Sequence, residues 1–453
     1  MATKSRATTR IVWLFALGKL GWPILSGVFT SWLVYFYQPE QAFIDSGQRL
    51  FVTQGSVVLG MTAVGLITAA GRFIGAFMDP WIAGMSDACS HHLGRRIPFM
   101  RYAAIPFGAV TALAFFSPVH GVSWVNNAYL FIMVIAFYVF MAAYSTPYSA
   151  LLPELGRTQD LRIKVATCIS ATYFLGTAIA YLVPGIAKLF QPVLGTTMSF
   201  RAAIAVLSII AIACMLVPAF AIDEHVYAET TPSMVKMFTS LRLTLSNRRF
   251  QVFVVSNIMY WIAITMFQTG LPFYVTSLMH LPASMTFILF ALMTGFSLAC
   301  YPLVNILATR MGKKRLVGFA LLAFSVSFGI TSLSGLLGIA GVVWGVIVAI
   351  LAAVPLAILG ILLPAVVADI AEADAIESEE PRQGMFYAAQ TFSTKLGQAL
   401  AMILFTSVAL VGEAGFGYRL SALTAMAFCL ISGIIFLFYN ERRVLQTILS
   451  AEK

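Results

Sequence analysis

Long apolar stretches alternate with short polar segments along the whole chain. Each stretch spans roughly 20 residues, the length that an α-helix needs to cross the hydrocarbon core of a bilayer. The pattern predicts an all-α membrane protein with twelve transmembrane helices. The predicted spans cover residues 11–37, 55–84, 99–118, 127–152, 165–188, 201–221, 251–278, 284–308, 316–336, 340–367, 385–411 and 419–439.

Lysine and arginine fall mainly on one side of these predicted spans. The opposite side receives only Arg49, Lys188, Arg201 and Arg419. Cytoplasmic loops of membrane proteins carry the excess of basic residues, so the distribution places both termini in the cytoplasm. An even number of spans agrees with that placement. We therefore expect a multi-pass integral protein of the cytoplasmic membrane, surrounded by the lipid bilayer.

One polar segment is much longer than the other cytoplasmic connections. Residues 223–250 separate the sixth span from the seventh and leave an N-terminal six-helix bundle at 1–222 and a C-terminal one at 251–453. A glycine followed by two basic residues occurs after the second span, at Gly94, and after the eighth, at Gly312. Loops that only anchor topology do not need the same short turn at matching places. The repeat indicates two related six-helix halves.

The composition agrees with a membrane protein and excludes several other classes. Of 453 residues, 60% are hydrophobic and 10% are charged, with a mean hydropathy of +0.89, whereas a soluble domain carries about 25% charged residues. The net charge of +10 reflects basic loops and does not indicate nucleic-acid binding. The five cysteines form no CxxC pair, so we expect neither disulfides nor a metal site. Without an HExxH, GxSxG or P-loop motif, we expect no enzymatic activity and no cofactor.

The most informative stretch is RFIGAFMDPWIAGMSDACSHHLGRRIP at 72–98, where Arg72 and Asp79 lie inside an apolar span. Charge in the bilayer is costly, so both are functional candidates. The stretch resembles the second helix and following loop of the glycoside-pentoside-hexuronide:cation symporters, a branch of the major facilitator superfamily that includes the melibiose permease. The resemblance implies a cytoplasmic gating loop with basic side chains near carbonyl ends or acids of neighbouring helices. Its residues are Asp87, Arg95 and Arg96.

A second stretch, ADIAEADAIESEEPRQGMFYAAQTFSTKL at 368–396, resembles the same family. Family members carry an acidic loop there, followed by a helix with an aromatic residue, a Gln-Thr pair and a lysine. The matching acids, assigned to gating, are Asp369 and Glu372, and the matching helix residues are Tyr387, Gln390, Thr391 and Lys395. Residues four apart share a helix face, so we expect a polar stripe towards a bundle interior or wet cavity. The resemblance covers the whole chain and implies the major facilitator fold of two six-helix bundles.

The chain departs from the family where the coupling ion and the sugar are bound. Sodium-coupled members offer two aspartates, an asparagine and a threonine. The matching positions here are Gly75, Met78, Asp79 and Ala142. The family's sugar-binding acids are replaced by Leu20 and Ser145, and its arginine in the fifth helix by Ser170. Because sodium needs several oxygen ligands, we expect the one remaining carboxylate to take up a proton, with sodium as the alternative ion.

These losses leave three basic residues in the spans, Lys19, Arg72 and Lys395, against the single deep carboxylate of Asp79. Uncompensated charge at this depth attracts a counter-ion or a substrate, so the balance favours an anionic solute. One alternative is that Lys19 snorkels or contacts a helix C-terminus. Another is that Arg72 is only a structural partner of Asp79.

Other polar, aromatic or small residues in the spans have structural interpretations, and some of them also have functional ones. Ser145 and Ser149 lie beside a proline and either contact the substrate or satisfy the carbonyl that proline frees. Trp261 offers a stacking surface for a sugar ring, although aromatic residues in spans more often only pack. Gly71 and Gly75 are most simply a site of close helix approach.

Together these features predict a secondary active transporter for a polar, anionic, sugar-like or organic solute. We expect proton-coupled symport with alternating access by a monomer, with Asp79 and Arg72 at the coupling site. The expected substrate contacts are Lys395, Tyr387, Gln390, Thr391, Trp261, Lys19, Ser145 and Ser149. The alternatives are a facilitator, a sodium-coupled carrier of a neutral glycoside, and a carrier of a lysolipid or other amphipath.

Overall fold

The structure, a computed structural model, describes residues 9–58, 60–155, 159–227, 246–378, 383–412 and 415–451. The chain forms two compact units, Met1–Ser233 (unit 1) and Met234–Lys453 (unit 2). Their boundary falls inside the predicted linker 223–250, of which 228–245 lies outside the described residues. The finer division into 1–222, 223–250 and 251–453 stays a prediction.

Unit 1 consists of long apolar helices joined by short connections. Its elements are α1 (Thr9–Tyr37), α2 (Gln41–Asp45), β1 (Ser56–Val58), β2 (Met61–Thr62), α3 (Ala63–Ala88), α4 (Ile97–Leu113), α5 (Trp124–Leu155), α6 (Gln159–Ala180), α7 (Val183–Ala221) and α8 (Glu224–Tyr227). Helix α7 is interrupted at Gly195, whose φ of 71° lies outside the helical region. The predicted sixth span follows this break, and every predicted span of this half overlaps one of the long helices.

The predicted second span begins too early. The prediction starts it at residue 55, whereas α3 begins at Ala63 after a cap in which Thr62 Oγ1 accepts from the Gly65 amide at 3.0 Å. The strands β1 and β2 precede the helix as a short antiparallel hairpin around Gly60, whose φ is 79°. The hairpin is as apolar as the helix that follows it, so hydropathy does not separate the two; the glycine is the signal that does.

Unit 2 has the same general build. Its elements are α9 (Arg248–Phe273) with a π-helical continuation (Tyr274–Leu278), α10 (Met285–Ala299), α11 (Tyr301–Met311), α12 (Lys313–Ser332), α13 (Gly341–Ser378), α14 (Gln383–Val408), α15 (Phe416–Phe436) and α16 (Glu441–Ala451). Every predicted span of the C-terminal half overlaps one or two of these helices.

The acidic segment after the tenth predicted span is helical where the resemblance implies a loop. The prediction ends this span at residue 367, but α13 continues to Ser378 and includes Asp369 and Glu372. Alanine and glutamate are good helix formers, and no glycine or proline interrupts the sequence between 365 and 378. Local helix propensity therefore carries α13 past the end of its apolar run.

Seven of the described helical segments are long and apolar enough to cross a membrane, or eight when α10 and α11 are taken as one bent span. Helix α4 is apolar but shorter, with 17 residues. The described part of the chain is thus an all-α, multi-pass membrane protein. The count of twelve spans stays a prediction.

The same neighbours recur in the two units. In unit 1, α1 packs on α6 and α7, α3 packs on α5, and α4 packs on α5 and α7. In unit 2, α9 packs on α14 and α15, α10 packs on α13, and α12 packs on α13 and α15. Counted as spans, both sets pair the first with the fifth and sixth, the second with the fourth, and the third with the fourth and sixth. This repeat agrees with the two related halves that the matching basic turns indicate.

Helices α3 and α5 approach closely at two glycines. A Cβ atom on Gly71 would overlap the Val134 side chain and lie 2.8 Å from Tyr138 Cδ2. A Cβ atom on Gly75 would lie 3.1 Å from Tyr138 Cβ. The pair, one turn apart, forms the flat surface on which α5 rests, as expected for small residues in a membrane helix.

Replacing Gly71 with alanine is therefore expected to destabilise unit 1. The added methyl group has no space beside Val134, and overpacking of this kind costs about 1–3 kcal/mol. Gly84 is the matched control, because it lies on the same helix with no atom within 4 Å of an added Cβ, and alanine is the better helix former. Thermal unfolding in detergent should show a lower midpoint for Gly71→Ala than for Gly84→Ala; equal midpoints would contradict the close approach.

Candidate functional site

The Lys19 ammonium lies among three aromatic rings of unit 1, here called the aromatic cage. Lys19 Nζ is 3.7 Å from the ring centroid of Trp22, 5.5 Å from that of Tyr173 and 5.9 Å from that of Tyr148. A cation over a ring face is attracted by the ring's quadrupole. Within the described residues no carboxylate forms an ion pair with Lys19. The rings thus attract the ammonium group without neutralising its charge.

Three helices hold the aromatic cage in place. Tyr148 of α5 stacks on Phe15 of α1 with centroids 4.3 Å apart, and its hydroxyl donates to the Phe15 carbonyl at 2.8 Å. The rings of Trp22 and Tyr173, from α1 and α6, lie 6.1 Å apart. Lys19 is partly exposed and Tyr173 is 38% exposed, so one side of the cage is open. This environment differs from the helix C-terminus that the sequence offered as an alternative.

The two candidate serines lie on α5, the helix that carries Tyr148. Ser145 is partly exposed and Ser149 is exposed. Neither hydroxyl forms a hydrogen bond with another described residue. Both interpretations of the two serines, kink support and substrate contact, stay predictions.

The Asp79 carboxylate accepts a hydrogen bond from a hydroxyl of the fourth span. Thr146 Oγ1 donates to Asp79 Oδ1 at 3.2 Å, and both side chains are partly exposed. Thr146 lies one helical turn beyond Ala142, the position at which the resembling family carries its threonine. Sequence reasoning missed Thr146 because it compared single positions. The spacing of four residues along one helix face was the signal that could have found it.

Arg72 ties three helices of unit 1 together. The side chain is 4% exposed. Its Nη2 donates to Thr30 Oγ1 of α1 at 3.1 Å, and its Cζ lies 5.8 Å from the Tyr138 ring of α5. These contacts support a structural role for Arg72, and its part in coupling stays a prediction.

The basic turn after α3 is bound to two neighbouring segments. Arg96 Nη1 donates to the Ala150 carbonyl of α5 at 2.6 Å, and the Arg96 amide donates to Glu224 Oε2 at 2.8 Å. Contact between this loop and carbonyls or acids of neighbouring helices is what the resemblance implies. Arg95 is partly exposed, whereas the Asp87 side chain lies outside the described residues. The gating role of these residues stays a prediction.

In unit 2, the predicted polar stripe of α14 divides into a buried part and an exposed part. Lys395 is 8% exposed, whereas Tyr387 is 43% exposed and Thr391 is exposed. Thr391 Oγ1 donates to the Tyr387 carbonyl one turn earlier at 3.0 Å, and Gln390 is partly exposed. Along α14, the buried Lys395 thus lies two helical turns beyond the exposed Tyr387.

A buried hydrogen bond holds α14 against α9 beside Lys395. Asn257, which is 1% exposed, donates from Nδ2 to Ser393 Oγ at 2.8 Å. One turn further, a Cβ atom on Gly397 would lie 3.0 Å from Trp261 Cβ. Trp261 therefore borders α14 next to the turn that carries Lys395. This placement is compatible with the predicted stacking role of Trp261 and does not test it.

The two acids assigned to gating in unit 2 have different surroundings. Lys313 Nζ lies 2.6 Å from Asp369 Oδ2 and 2.8 Å from Oδ1, so Asp369 is in an ion pair with the second basic turn. Glu372 is exposed on the same helix. Both residues thus lie on α13, and within the described residues only Asp369 of the two is in an ion pair. In the part of the chain that is described, no group of three His, Cys, Asp or Glu side chains could hold a metal ion.

The sequence profile of the MFS/sugar transport protein family matches residues 14–439, nearly the whole chain. This chain belongs to the MFS/sugar transport protein family. The two motifs at 72–98 and 368–396 lie within the match. The resemblance to the melibiose-permease-like branch is confirmed.

Solved structures of transporters share the fold of this MFS/sugar transport protein at low sequence identity. A proton-dependent oligopeptide transporter has a TM-score of 0.68 at 13% identity, with 98% of this chain and 100% of that chain covered. A variant of the nucleoside transporter NupG has a TM-score of 0.67 at 13% identity, with 94% and 100% covered. A bacterial homologue of the human drug peptide transporters has a TM-score of 0.64 at 13% identity, with 98% of each chain covered. Such likeness shows the fold alone. No curated protein is significantly similar to the chain.

This MFS/sugar transport protein is a secondary transporter of the major facilitator type, and its family and structural neighbours are transporters and not enzymes. A small-molecule substrate and embedding in a bilayer follow from that membership. The identity of the substrate and of the coupling ion has to be argued from the residues of this chain.

Proposed function

We propose that this transporter carries a polar organic anion of sugar-like size by proton-coupled symport. The observation that carries the proposal is the Lys19 ammonium in the aromatic cage, which has no ion pair among the described residues. The family's sugar-binding acids are replaced here by Leu20 and Ser145, so those positions do not neutralise it. A carboxylate on the solute would supply the missing counter-ion.

The aromatic cage also suits a solute with a ring. Trp22 is partly exposed and Tyr173 is 38% exposed. Such rings combine an apolar face for stacking with a polar edge, while the ammonium beside them binds an acid group. A uronide combines a sugar ring and a carboxylate in one molecule. The polar residues that the sequence offers as further substrate contacts are Lys395, Tyr387, Gln390, Thr391 and Trp261.

Asp79 is the proposed proton carrier. Its side chain is partly exposed and accepts a hydrogen bond from the Thr146 hydroxyl. The other positions at which sodium-coupled family members offer ligands are Gly75, Met78 and Ala142, whose side chains carry no oxygen for a hard cation, whereas a carboxyl group needs no cage to bind a proton. One proton moved with a monovalent anion makes the step electroneutral, which spares the cost of moving charge against the membrane potential.

A thermal-shift comparison of two matched sugars tests the proposed substrate class. Methyl β-D-glucuronide and methyl β-D-glucoside differ only in the group at C6, a carboxylate in the first and a hydroxymethyl in the second. We expect the purified protein to be stabilised by the glucuronide and not by the glucoside, because bound ligand stabilises the folded state. Equal stabilisation by both sugars would contradict the anionic substrate. A response only to a lysophospholipid, tested in parallel, would favour the amphipath carrier instead.

A further inference from the structure

A buried carboxylate holds the first residues of α4. Glu224 is 2% exposed, and its Oε2 accepts from the Arg96 amide at 2.8 Å and from the Ile97 amide at 3.2 Å. These amides open the helix, where backbone N–H groups lack partners within it. Gly94 makes room for the carboxylate, because a Cβ atom there would overlap Glu224 Oε2. Its φ of 106° also favours glycine.

Unit 2 repeats this arrangement with a second glutamate. Glu441 Oε1 accepts from the Lys313 amide at 2.7 Å, and Oε2 accepts from the Lys314 amide at 3.1 Å. These two amides open α12, the third span of unit 2. Gly312 precedes them with a φ of 83°, and a Cβ atom there would lie 3.0 Å from Glu441 Oε2. In both units the glutamate follows the sixth span and caps the third.

The opposite end of each third span is bound by an arginine of the sixth span. Arg201 Nε of α7 donates to the Phe115 carbonyl, just beyond α4, at 2.8 Å. Arg419 Nη1 of α15 donates to the carbonyls of Ser332 and Ser334, at the end of α12, at 2.7 Å each. An acid at the N-terminus and a cation at the C-terminus both match the helix dipole. The repeat at both ends shows that the glutamates belong to a shared arrangement of the two units.

In each unit, the turn that the glutamate holds contains a basic residue whose side chain contacts the fourth span of that unit. Arg96 donates to the Ala150 carbonyl near the C-terminal end of α5 at 2.6 Å. Lys313 forms its ion pair with Asp369 on α13 at 2.6 Å. The position of each cation depends on the turn, and the turn is fixed by the glutamate.

We propose that Glu224 and Glu441 are matched positioning residues of the transport cycle. Each fixes the basic turn of its unit and thereby places Arg96 or Lys313 against the fourth span. The expected effect on transport rate rests on the proposed function. The hydrogen bonds by which the two glutamates hold the turns do not depend on that function. Contacts at helix ends have to break and re-form when helices move. A displaced turn re-forms these contacts more slowly, so we expect the transport cycle to slow down. In the described residues neither glutamate contacts Lys19, so substrate affinity should not change.

Hydrogen exchange measured by mass spectrometry on the purified full chain tests the positioning without any substrate. Glu224→Ala should speed exchange in the peptide 94–101, and Glu441→Ala should speed it in the peptide 312–319. We expect rates about threefold to thirtyfold higher, because a lost helix cap frees the first amides. Asp45→Ala is the control, because Asp45 is an exposed acid of unit 1, and it should change neither peptide.

Glutamine variants separate a helix cap from a general effect of charge. Both amides of unit 1 converge on one oxygen of Glu224, so Glu224→Gln keeps an acceptor for both. Glu441 uses its two oxygens for two amides, so Glu441→Gln sets an NH₂ group against one of them. Exchange should stay close to the parent in Glu224→Gln and rise in Glu441→Gln. Equal effects of the two glutamine variants would overturn the cap geometry.

Uptake of methyl β-D-glucuronide into proteoliposomes tests the consequence for transport. Both alanine variants should lower Vmax several-fold and leave KM unchanged. A raised KM with unchanged Vmax would overturn the role in rate, and unchanged exchange in both peptides would overturn the positioning itself. If the parent protein takes up no glucuronide, the proposed function fails, and the exchange pattern still decides whether the glutamates hold the turns.

Discussion

Lys19→Gln is expected to bind methyl β-D-glucuronide about tenfold to a hundredfold more weakly than the parent protein. A hydrogen bond to a charged group contributes about 1.5–3 kcal/mol, and each 1.4 kcal/mol changes affinity about tenfold. Lys19 has ring contacts and no ion pair among the described residues, so its charge remains available to the solute. Glutamine keeps a donor of similar length and removes only the charge. Isothermal titration in detergent measures the difference.

Two control variants show whether the charge at position 19 is responsible for the affinity for the glucuronide. Lys19→Arg keeps a cation that also stacks on aromatic rings, so it should retain much of the affinity. Lys188→Gln removes an exposed cation of the same unit and should leave binding unchanged. An affinity of Lys19→Gln equal to the parent's would remove Lys19 from the substrate site. The same measurement on Lys395→Gln tests the second proposed cation.

Asp79→Asn is expected to abolish accumulation of the glucuronide under an inward proton gradient. A gradient of about one pH unit supports about tenfold accumulation when one proton accompanies each solute, and the variant should reach only equal concentrations. Asparagine has the same shape, and its amide oxygen can still accept from the Thr146 hydroxyl. It cannot take up a proton. Because the two side chains have the same shape, we expect the loss to report the proton that Asp79 carries.

Uptake into proteoliposomes under a proton gradient measures coupling. Exchange of the solute across the same membrane without a gradient measures carrier function. Exchange should persist in Asp79→Asn, since that variant changes coupling and not the path of the solute. Asp45→Asn is the control, because Asp45 is an exposed carboxylate of the same unit. Unchanged accumulation in Asp79→Asn would exclude Asp79 from coupling. Accumulation driven by sodium without a pH gradient would refute the proton as the coupling ion.

The helical fold could largely be predicted from hydropathy, and the errors have local causes. The first helix, Thr9–Tyr37, agrees with the predicted span 11–37 within two residues at its start. The start at Ala63 was missed because an apolar hairpin precedes the helix. The extension to Ser378 was missed because helix propensity, and not apolarity, continues α13. Apolar character alone predicts burial in the bilayer and does not report where a helix begins or ends.

Candidate charges were easier to predict than their partners. Lys19 and Trp22 are three apart on α1, so their contact is open to a sequence argument. Tyr148 and Tyr173 come from α5 and α6, and no local pattern brings them to Lys19. Glu224 escaped notice because it lies in a polar connection, where an acid normally faces water. Its burial to 2% exposure and the hydrogen bonds that it accepts from the two amides that open α4 mark it as a helix cap, and both become visible only in the folded structure.

The sequence by itself determined the membrane class, the family and the charges that remain in the spans. These properties depend on composition and on the order of neighbouring residues, both of which can be read directly. The tertiary structure alone decided which groups meet those charges, such as Thr146 at Asp79 and the aromatic cage at Lys19. Contacts between helices depend on the level and rotation of each helix. Moving one residue along a helix turns the side chain by about 100°, so partners from distant segments are specified only once the helices have packed.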